Sequence, residues 1–531
     1  MKDNNILIVG GGISGLVSAA YLSKNNINVT LLEKCNRVGG LIGSYESEGF
    51  LIDSGIRALE NSGVIFPMLK DLGINLNFKK NIVSVKIKDK SIQIKDEKSL
   101  NDYENLLISF FPKDKNEIHE IIKIIRRVSD YMDVLYGIDN PLFLDMKKDQ
   151  KYLIKSVLPW MLKYKKTIRK IKNLNDPVND YLKTITSNQE LIDTITQHFF
   201  KDTPTFFALS YFKLYNDYYY PEKGIQSFID SIYDYIIKNG GNIILNSEVS
   251  KINLEDKEII SNDKSYKFNK LIWAADLNNL YKNIEQISEK NTNLSLMNNK
   301  KSLMNKSHGN DSIYSIYIKT NLDSLYLRNQ CSEHTFFTPN TKGLSSMEYN
   351  EKQLIEVLKN TNAKKSTLKK WLKEFANKTT YEISIPALRF EALAPKGKSA
   401  IIISTVYDYN LTAYLEEVGL YEYLKENFNK EIINIINNTL FNKLKENIIS
   451  FESSTPRTIE KMLNNSDGAI TGWSFSYESP VENRMKKMAK AIYTPFNDIY
   501  QTGHWVFSPT GMPTSIMLGK ILADKIVKDF K

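Results

Sequence analysis

Residues Gly10-Gly11-Gly12-Ile13-Ser14-Gly15 carry the most specific chemistry in the chain. A G-x-G-x-x-G run needs bare backbone. Gly10 permits a tight turn, Gly12 lets a diphosphate approach the main chain, and Gly15 lets the following helix lie close on the preceding strand. A helix opening at Ile13 and Ser14 presents unpaired N–H groups and the positive end of its dipole to that diphosphate. Ser14 is expected to cap this helix, because Gly-Ile-Ser-Gly is not a nucleophile elbow. Eighteen residues after Gly15, Glu33 is spaced to accept from the ribose hydroxyls of an adenine dinucleotide, with Lys34 beside it. A second small-residue turn follows, Arg37-Val38-Gly39-Gly40, and then Gly49-Phe50-Leu51-Ile52-Asp53-Ser54-Gly55. A turn of this kind bearing an arginine lets the chain skirt a second phosphate and a flavin ring.

These residues need particular elements around them. Ile6-Leu7-Ile8-Val9 reads as a strand buried on both faces, Leu16 to Lys24 as a helix, and Val29-Thr30-Leu31-Leu32 as a second strand ending at Glu33. From Leu100 to Tyr215 the pattern is mostly helical, with Ile118, Ile121, Ile122, Ile125, Val128 and Met132 at three- and four-residue steps. Phe228 to Lys238 predicts a helix, and Asn242 to Leu245, Lys251 to Leu254 and Lys270 to Trp273 predict strands. So do Ile313 to Ile318 and Ala400 to Val406. Asn291 to Lys306 has loop composition, and Lys352 to Lys378 reads as a helical insertion with a charged face. Near the C-terminus a short strand, Ile499 to Gln501, runs to Gly503-His504-Trp505. Ser508-Pro509-Thr510-Gly511-Met512-Pro513 then opens a last helix, a second N-terminus able to stabilise negative charge.

The remaining chemistry is thin. Five histidines are scattered, no Cys/His spacing suggests a metal, and Cys35 and Cys331 cannot form a disulfide framework, which fits a reducing compartment. Cys35 reads as a packed small hydrophobe. At 531 residues, 42% hydrophobic and 25% charged, the chain can bury a large core spread over more than one unit. Its net charge of +10 comes with abundant Lys, Asn and Ile and is gathered into an aromatic-bearing patch only loosely, at 146–172, so no nucleic-acid partner is expected. No cleavable leader precedes the first strand and no window is apolar enough to span a bilayer. The segment 146–172 stands apart, with ten Lys or Arg residues, one acid (Asp149), and interleaved apolar residues including Trp160. It reads either as a solvated helix with a core stripe or as an amphipathic helix lying in a lipid interface with Trp160 at the acyl boundary. Pro159 should kink or divide it.

Glu33, Arg-x-Gly-Gly and Gly-x(3)-Asp-x-Gly together resemble the N-terminus of the FAD-dependent phytoene desaturase, carotenoid isomerase and retinol saturase family, itself related to the amine oxidases. Tyr220-Pro221-Glu222-Lys223-Gly224 through Val249 is similar to that family's next block, with Lys223 in place of a glycine. Glu391 to Lys398, Thr455-Pro456-Arg457-Thr458, Asp467 to Gly472 and the final Gly503-to-Ser515 segment resemble later blocks, with Thr510 and Met512 in place of glycines. The resemblance implies a cofactor site of Gly10, Gly12, Ile13, Ser14, Gly15, Glu33, Lys34, Arg37, Gly39, Gly40, Val249, Gly503, Gly511 and Met512, with FAD as the cofactor and no metal.

The implied architecture is α/β: a discontinuous Rossmann-type FAD-binding domain (1–95, 216–280 and 446–531) interleaved with an α+β substrate domain (96–215 and 281–445) carrying a helical subdomain. The implied activity is hydride transfer between the flavin and a long apolar polyene or isoprenoid, as desaturation, saturation or isomerisation. A flavin amine oxidase and a non-catalytic membrane-docked flavoprotein are the alternatives. His504 and Glu391 are the weak candidates for proton transfer. The expected location is cytoplasmic, with peripheral attachment to the inner face of a membrane through 146–172 as the variant a lipophilic substrate favours. Oligomeric state is left open.

Overall fold

The computed structural model describes residues 5–145, 148–285 and 293–530. The calls that fall on 1–4, 146–147 and 291–292 lie outside them. The first strand, Ile6–Val9, is buried throughout and sits at the centre of a five-stranded parallel sheet. Val29–Leu32 and then Asn242–Ile244 lie on one side of it, and Lys270–Trp273 and then Ile499–Gln501 on the other. Four consecutive β-formers suit this position, because a central strand under helices has no wet face. The helix Ile13–Lys24 is buried on all sides from Ile13 to Ser23, since it is wedged between the sheet, the helix Ile225–Lys238 and the last helix, Met512–Phe530. Gly519 permits that closeness: a Cβ there would stand 2.6 Å from the Ser14 carbonyl oxygen.

A seven-stranded sheet forms the second layer, in the order Ile448–Ser454, Ser312–Thr320, Ser399–Tyr407, Tyr381–Ser384, His334–Thr338, Val83–Ile87, Lys90–Ile94. One side carries helices from 351 to 447 around Trp371, Phe375, Tyr407 and Phe428. The edge strands at 83–94 pack on an all-helical region from Ser99 to Leu214. The strands at 83–94 and 448–454 are thus bonded into this seven-stranded sheet, across the boundaries expected at 95 and 446.

Asn-rich composition misleads at 293–306, where Leu294–Met304 is helical. Met297 and Met304, seven residues apart, bury against Leu271 and Trp273, and that burial outweighs the loop propensity. The same cluster joins this helix to the five-stranded parallel sheet. The insertion at 352–378 is two helices, Glu351–Asn360 and Lys364–Lys378. At Pro159 the chain passes from a π-helical run, Leu153–Val157, into the helix Leu158–Ile171. Among the described residues, no helix is long and apolar enough to cross a membrane.

Candidate functional site

The two glycine turns meet at the carboxyl ends of the parallel strands, where open α/β sheets bind ligands. Gly10 takes φ +105° and a Cβ there would collide with the backbone of Ala274 and Ala275, so only glycine fits. Nothing lies within 4 Å of where a Gly12 Cβ would stand, which leaves open space at the helix N-terminus for a bulky anion. Gly12 is the N-cap and has no side chain to occupy the helix N–H groups. Ser14 does not cap this helix, contrary to expectation. Its hydroxyl lies 2.5 Å from that of Thr502, one residue before Gly503, and so ties the first turn to the last. Ile13 and Ser14 are buried beneath this seam.

Glu33 ends the second strand with both oxygens engaged. Oε2 accepts from the Gly11 N–H at 2.6 Å and Oε1 from the Cys35 N–H at 2.8 Å. Each carboxylate oxygen has a further acceptor position, which suits a pair of ribose hydroxyls. The turn at Asn246 to Val249 is stitched alongside, with the Ser247 N–H on the Glu33 carbonyl (2.8 Å) and the Asn246 N–H on the Cys35 carbonyl (3.0 Å). Lys34 pairs with Glu248 at 3.6 Å, and the Val249 carbonyl accepts from Asn283 at 2.9 Å. Burial and the Glu33 carboxylate push the Cys35 thiol up to about 11, so it is inert.

The Gly39 N–H donates to the Gly11 carbonyl at 2.8 Å, and a Cβ on Gly40 would stand 3.6 Å from the Gly12 Cα, so the Arg-x-Gly-Gly loop lies against the first turn. Arg37 braces that loop, donating from Nη1 to the Ser44 carbonyl (2.6 Å) and from Nη2 to the Ser54 hydroxyl (3.0 Å). Lys223 is exposed, and its neighbour Gly224 supplies the positive φ, +85°, that precedes the helix at Ile225.

At the other end, Gly511 is the residue from which the last helix departs, and Met512 is partly accessible at its first turn. His504 Nε2 and Thr510 Oγ1 are buried without a hydrogen-bond partner among the described residues. Desolvation holds His504 neutral, lowered to about 4. Two orphaned polar atoms on the segment that leads into the last helix fit a bound dinucleotide whose ring end supplies their partners.

Beyond this cradle the molecule gathers an aromatic cluster that sequence reasoning missed. His198, Phe199, Phe207, Tyr211, Tyr218 and Phe336 all keep accessible surface, yet desolvation pushes the Tyr211 and Tyr218 hydroxyls well up and His198 down to about 4. Their rings touch in sequence: His198 on Phe336 (5.3 Å), Phe336 on Tyr215 (5.1 Å), Tyr215 on Tyr211 (5.9 Å), Tyr211 on Phe207 (5.6 Å), and Phe207 on Phe475 (6.2 Å). Phe475 ends the series three residues after Gly472, which packs on the His504 carbonyl.

Charged side chains adjoin the aromatic rings. Arg389 donates to Asn81 Oδ1 (2.6 Å), which turns the Asn81 amide nitrogen to His334 Nδ1 (3.2 Å) and makes His334 Nε2 the donor to Glu382 (2.9 Å). Asp53 accepts from Ser44 and Tyr220 and is raised by complete burial. Arg389 stacks over Tyr220 at 4.4 Å. Glu391, the other proposed proton donor, is exposed and accepts from the Ser324 hydroxyl, so it is not part of this cluster. Its residues come from distant stretches that share no motif in the sequence.

Residues 13–309 match the family model described as flavin containing amine oxidoreductase. The chain is 24% identical over 274 residues to inactive all-trans-retinol 13,14-reductase of Danio rerio, covering 49% of this chain and 44% of that protein. It is 22% identical over 287 residues to 4,4'-diapolycopen-4-al dehydrogenase of Metabacillus indicus, covering 51% and 55%. These alignments span about half the length of either relative. Among solved structures, an oxidoreductase from Methanosarcina mazei superposes with TM-score 0.60 at 16% identity over 98% of this chain and all of that one. A putrescine oxidase solved with putrescine superposes with TM-score 0.59 at 12% identity over 99% of both chains. At such identities the structural likeness is one of fold.

Proposed function

We propose, from the premise that this chain belongs to the flavin containing amine oxidoreductase family, that its substrate is a long apolar polyene or isoprenoid drawn from a membrane surface. The chain is an FAD-dependent oxidoreductase; the substrate, its source and the residue roles below are our reading. When bound, FAD supplies a two-electron hydride acceptor or donor. In this reading the turn at Gly10–Gly15 and the helix N-terminus bind the diphosphate, with Glu33 on the ribose and Val249 beside the adenine. Arg37, Gly39 and Gly40 shape the diphosphate loop, while Gly503, His504, Gly511 and Met512 seat the ring. The aromatic cluster excludes water and aligns an apolar chain against that ring.

The observation that carries the reading is the orientation of the helix 158–171 and the turn before it. Ile154, Leu158, Met161 and Leu162, at helical spacing, are 65%, 56%, 45% and 73% exposed, among Lys155, Lys163, Lys165 and Lys166. An apolar stripe turned outward between lysines suits the boundary of an anionic bilayer. Trp160 takes no part in it, because its indole N–H donates inward to the Val134 carbonyl. The same helical region carries Tyr136, Phe207 and Tyr211 of the aromatic cluster. Anaerobic mixing of the yellow protein with carotenoids, retinoids and amines tests the reading by bleaching of the flavin band. Bleaching by polyenes supports it, and bleaching by amines alone overturns it. An amine substrate is the second reading, favoured by Glu60 and Glu382, two carboxylates on aromatic walls that suit an ammonium group.

A further inference from the structure

We propose that two copies of this chain pair through the free edge of the seven-stranded sheet, strand Lys90–Ile94 against strand Lys90–Ile94, about a twofold axis at Ile92. The inference is independent of the substrate reading.

The two ends of that sheet are finished differently. At one end, the ladder of Ile448–Ser454 slips at the Lys319/Thr320 step, where Ile449 is an extra residue, and the Tyr45 hydroxyl holds Glu452. A bulge of this kind twists an edge away from further pairing. Lys90–Ile94, at the other end, has no such device. Its register against Val83–Ile87 is unbroken and it holds no proline. The hairpin turns through Lys88-Asp89, with Lys88 at φ +52°, so Lys90, Ile92 and Ile94 give their main-chain groups to Val83–Ile87. Ser91 and Gln93 turn theirs outward. Among the described residues, those groups take part in no main-chain bond outside the sheet.

An open groove of about 490 Å³ runs along this edge, between Ser91, Ile92 and Gln93 on the strand and Asp102, Asn105 and Ser109 on the helix Ser99–Phe110. The three helical residues share one exposed face. Lys90 Nζ lies 5.2 Å from the Phe110 ring centroid, and the Ser99 hydroxyl accepts from the Lys95 N–H at 3.0 Å, so the helix runs antiparallel to the strand. Lys90 therefore closes one end of the groove and Asp102 stands at the other. Neither makes an ion pair among the described residues.

The occupant that fits is a strand bearing the same charges in reverse order. An antiparallel second copy centred on Ile92 sets Ser91 against the partner's Gln93, and Gln93 against the partner's Ser91, so each outward N–H finds a carbonyl. The same placement brings the partner's Lys90 to Asp102, and by symmetry the converse, as an isologous interface requires. A lysine on an edge ordinarily discourages pairing, but here pairing supplies it with an acid. The axis stands perpendicular to the sheet. Both helical regions packed on the strands at 83–94 then lie on one side of the joined sheet.

Sedimentation velocity of the flavin-loaded protein over a wide range of concentration tests the proposal, and we expect the mass to double as concentration rises. Ser91→Pro removes an outward donor from each copy while leaving the bonds to Val83–Ile87, and the dissociation constant should rise roughly tenfold or more. Lys90→Glu sets an acid against Asp102 and should weaken the dimer, more so at low salt. Lys90→Glu combined with Asp102→Lys should restore it, which a merely structural role for either residue would not do. Flavin content and a melting curve show that each variant is folded, and if Ser91→Pro is not, the charge exchange decides. A monomer at every concentration overturns the proposal, as does a dimer indifferent to both Ser91→Pro and Lys90→Glu.

Discussion

The cofactor cradle and the aromatic cluster solve their tasks with opposite materials. The cradle is main chain: Gly10, Gly12, Gly39 and Gly511 act by lacking side chains, and a seam between Ser14 and Thr502 holds its two halves. The cluster is side chain, with rings from Tyr136, His198, Phe207, Tyr211, Phe336 and Phe475 spread over 340 positions. A backbone site tolerates almost no substitution and is written in short runs. A side-chain site shares its work among many residues, so it tolerates change and leaves a fainter trace.

This contrast can be broken or sharpened in order of effect. The largest change is expected from Gly12→Asp. The Cβ has room, so the fold should survive, but a carboxylate at the helix N-terminus repels the diphosphate, and FAD affinity should fall roughly 100-fold, about 2.7 kcal/mol. Flavin absorbance at saturating and limiting FAD, with a melting curve as control, measures it; wild-type affinity would break the cradle reading. Next, Phe336→Ala removes a partly accessible ring touching His198, Tyr215 and His334, and should cost about 1–3 kcal/mol in denaturant titration with FAD content unchanged.

Third comes the pH dependence of stability. The Glu60 carboxyl is raised from 4.5 to about 7, so the native state holds its proton where the unfolded chain has released it. Its contribution is present below about pH 4.5 and lost as pH rises through 7, and Glu60→Gln should flatten that part of the stability profile. His198, lowered to about 4, has the opposite sign: its contribution is present above 6.5 and lost as pH falls toward 4. The smallest effect belongs to Ser14→Ala, which removes one hydrogen bond across the seam, about 1 kcal/mol, read in the same titration. Replacing Leu158 and Leu162 with Ser should leave both sites intact and abolish flotation with anionic vesicles.

How much was legible follows the same division. The strand, turn and helix from Ile6 to Lys24 were readable because each residue's backbone preference agreed with its neighbours'. Ser14 was misread because its partner, Thr502, is 488 positions away. Leu294–Met304 was misread because two methionines found a core its asparagines did not announce.

The amino-acid sequence by itself determined the G-x-G-x-x-G turn, the acid at Glu33 and the closing glycine segment, since bare backbone and local spacing dictate what they can bind. Only the tertiary structure decided that the stripe at 154–162 faces outward, that Glu391 is exposed, and that Glu60 pairs with Tyr218 across two short strands. Conformation is set by near neighbours, whereas the surroundings of a side chain are set by whichever distant segments pack against it.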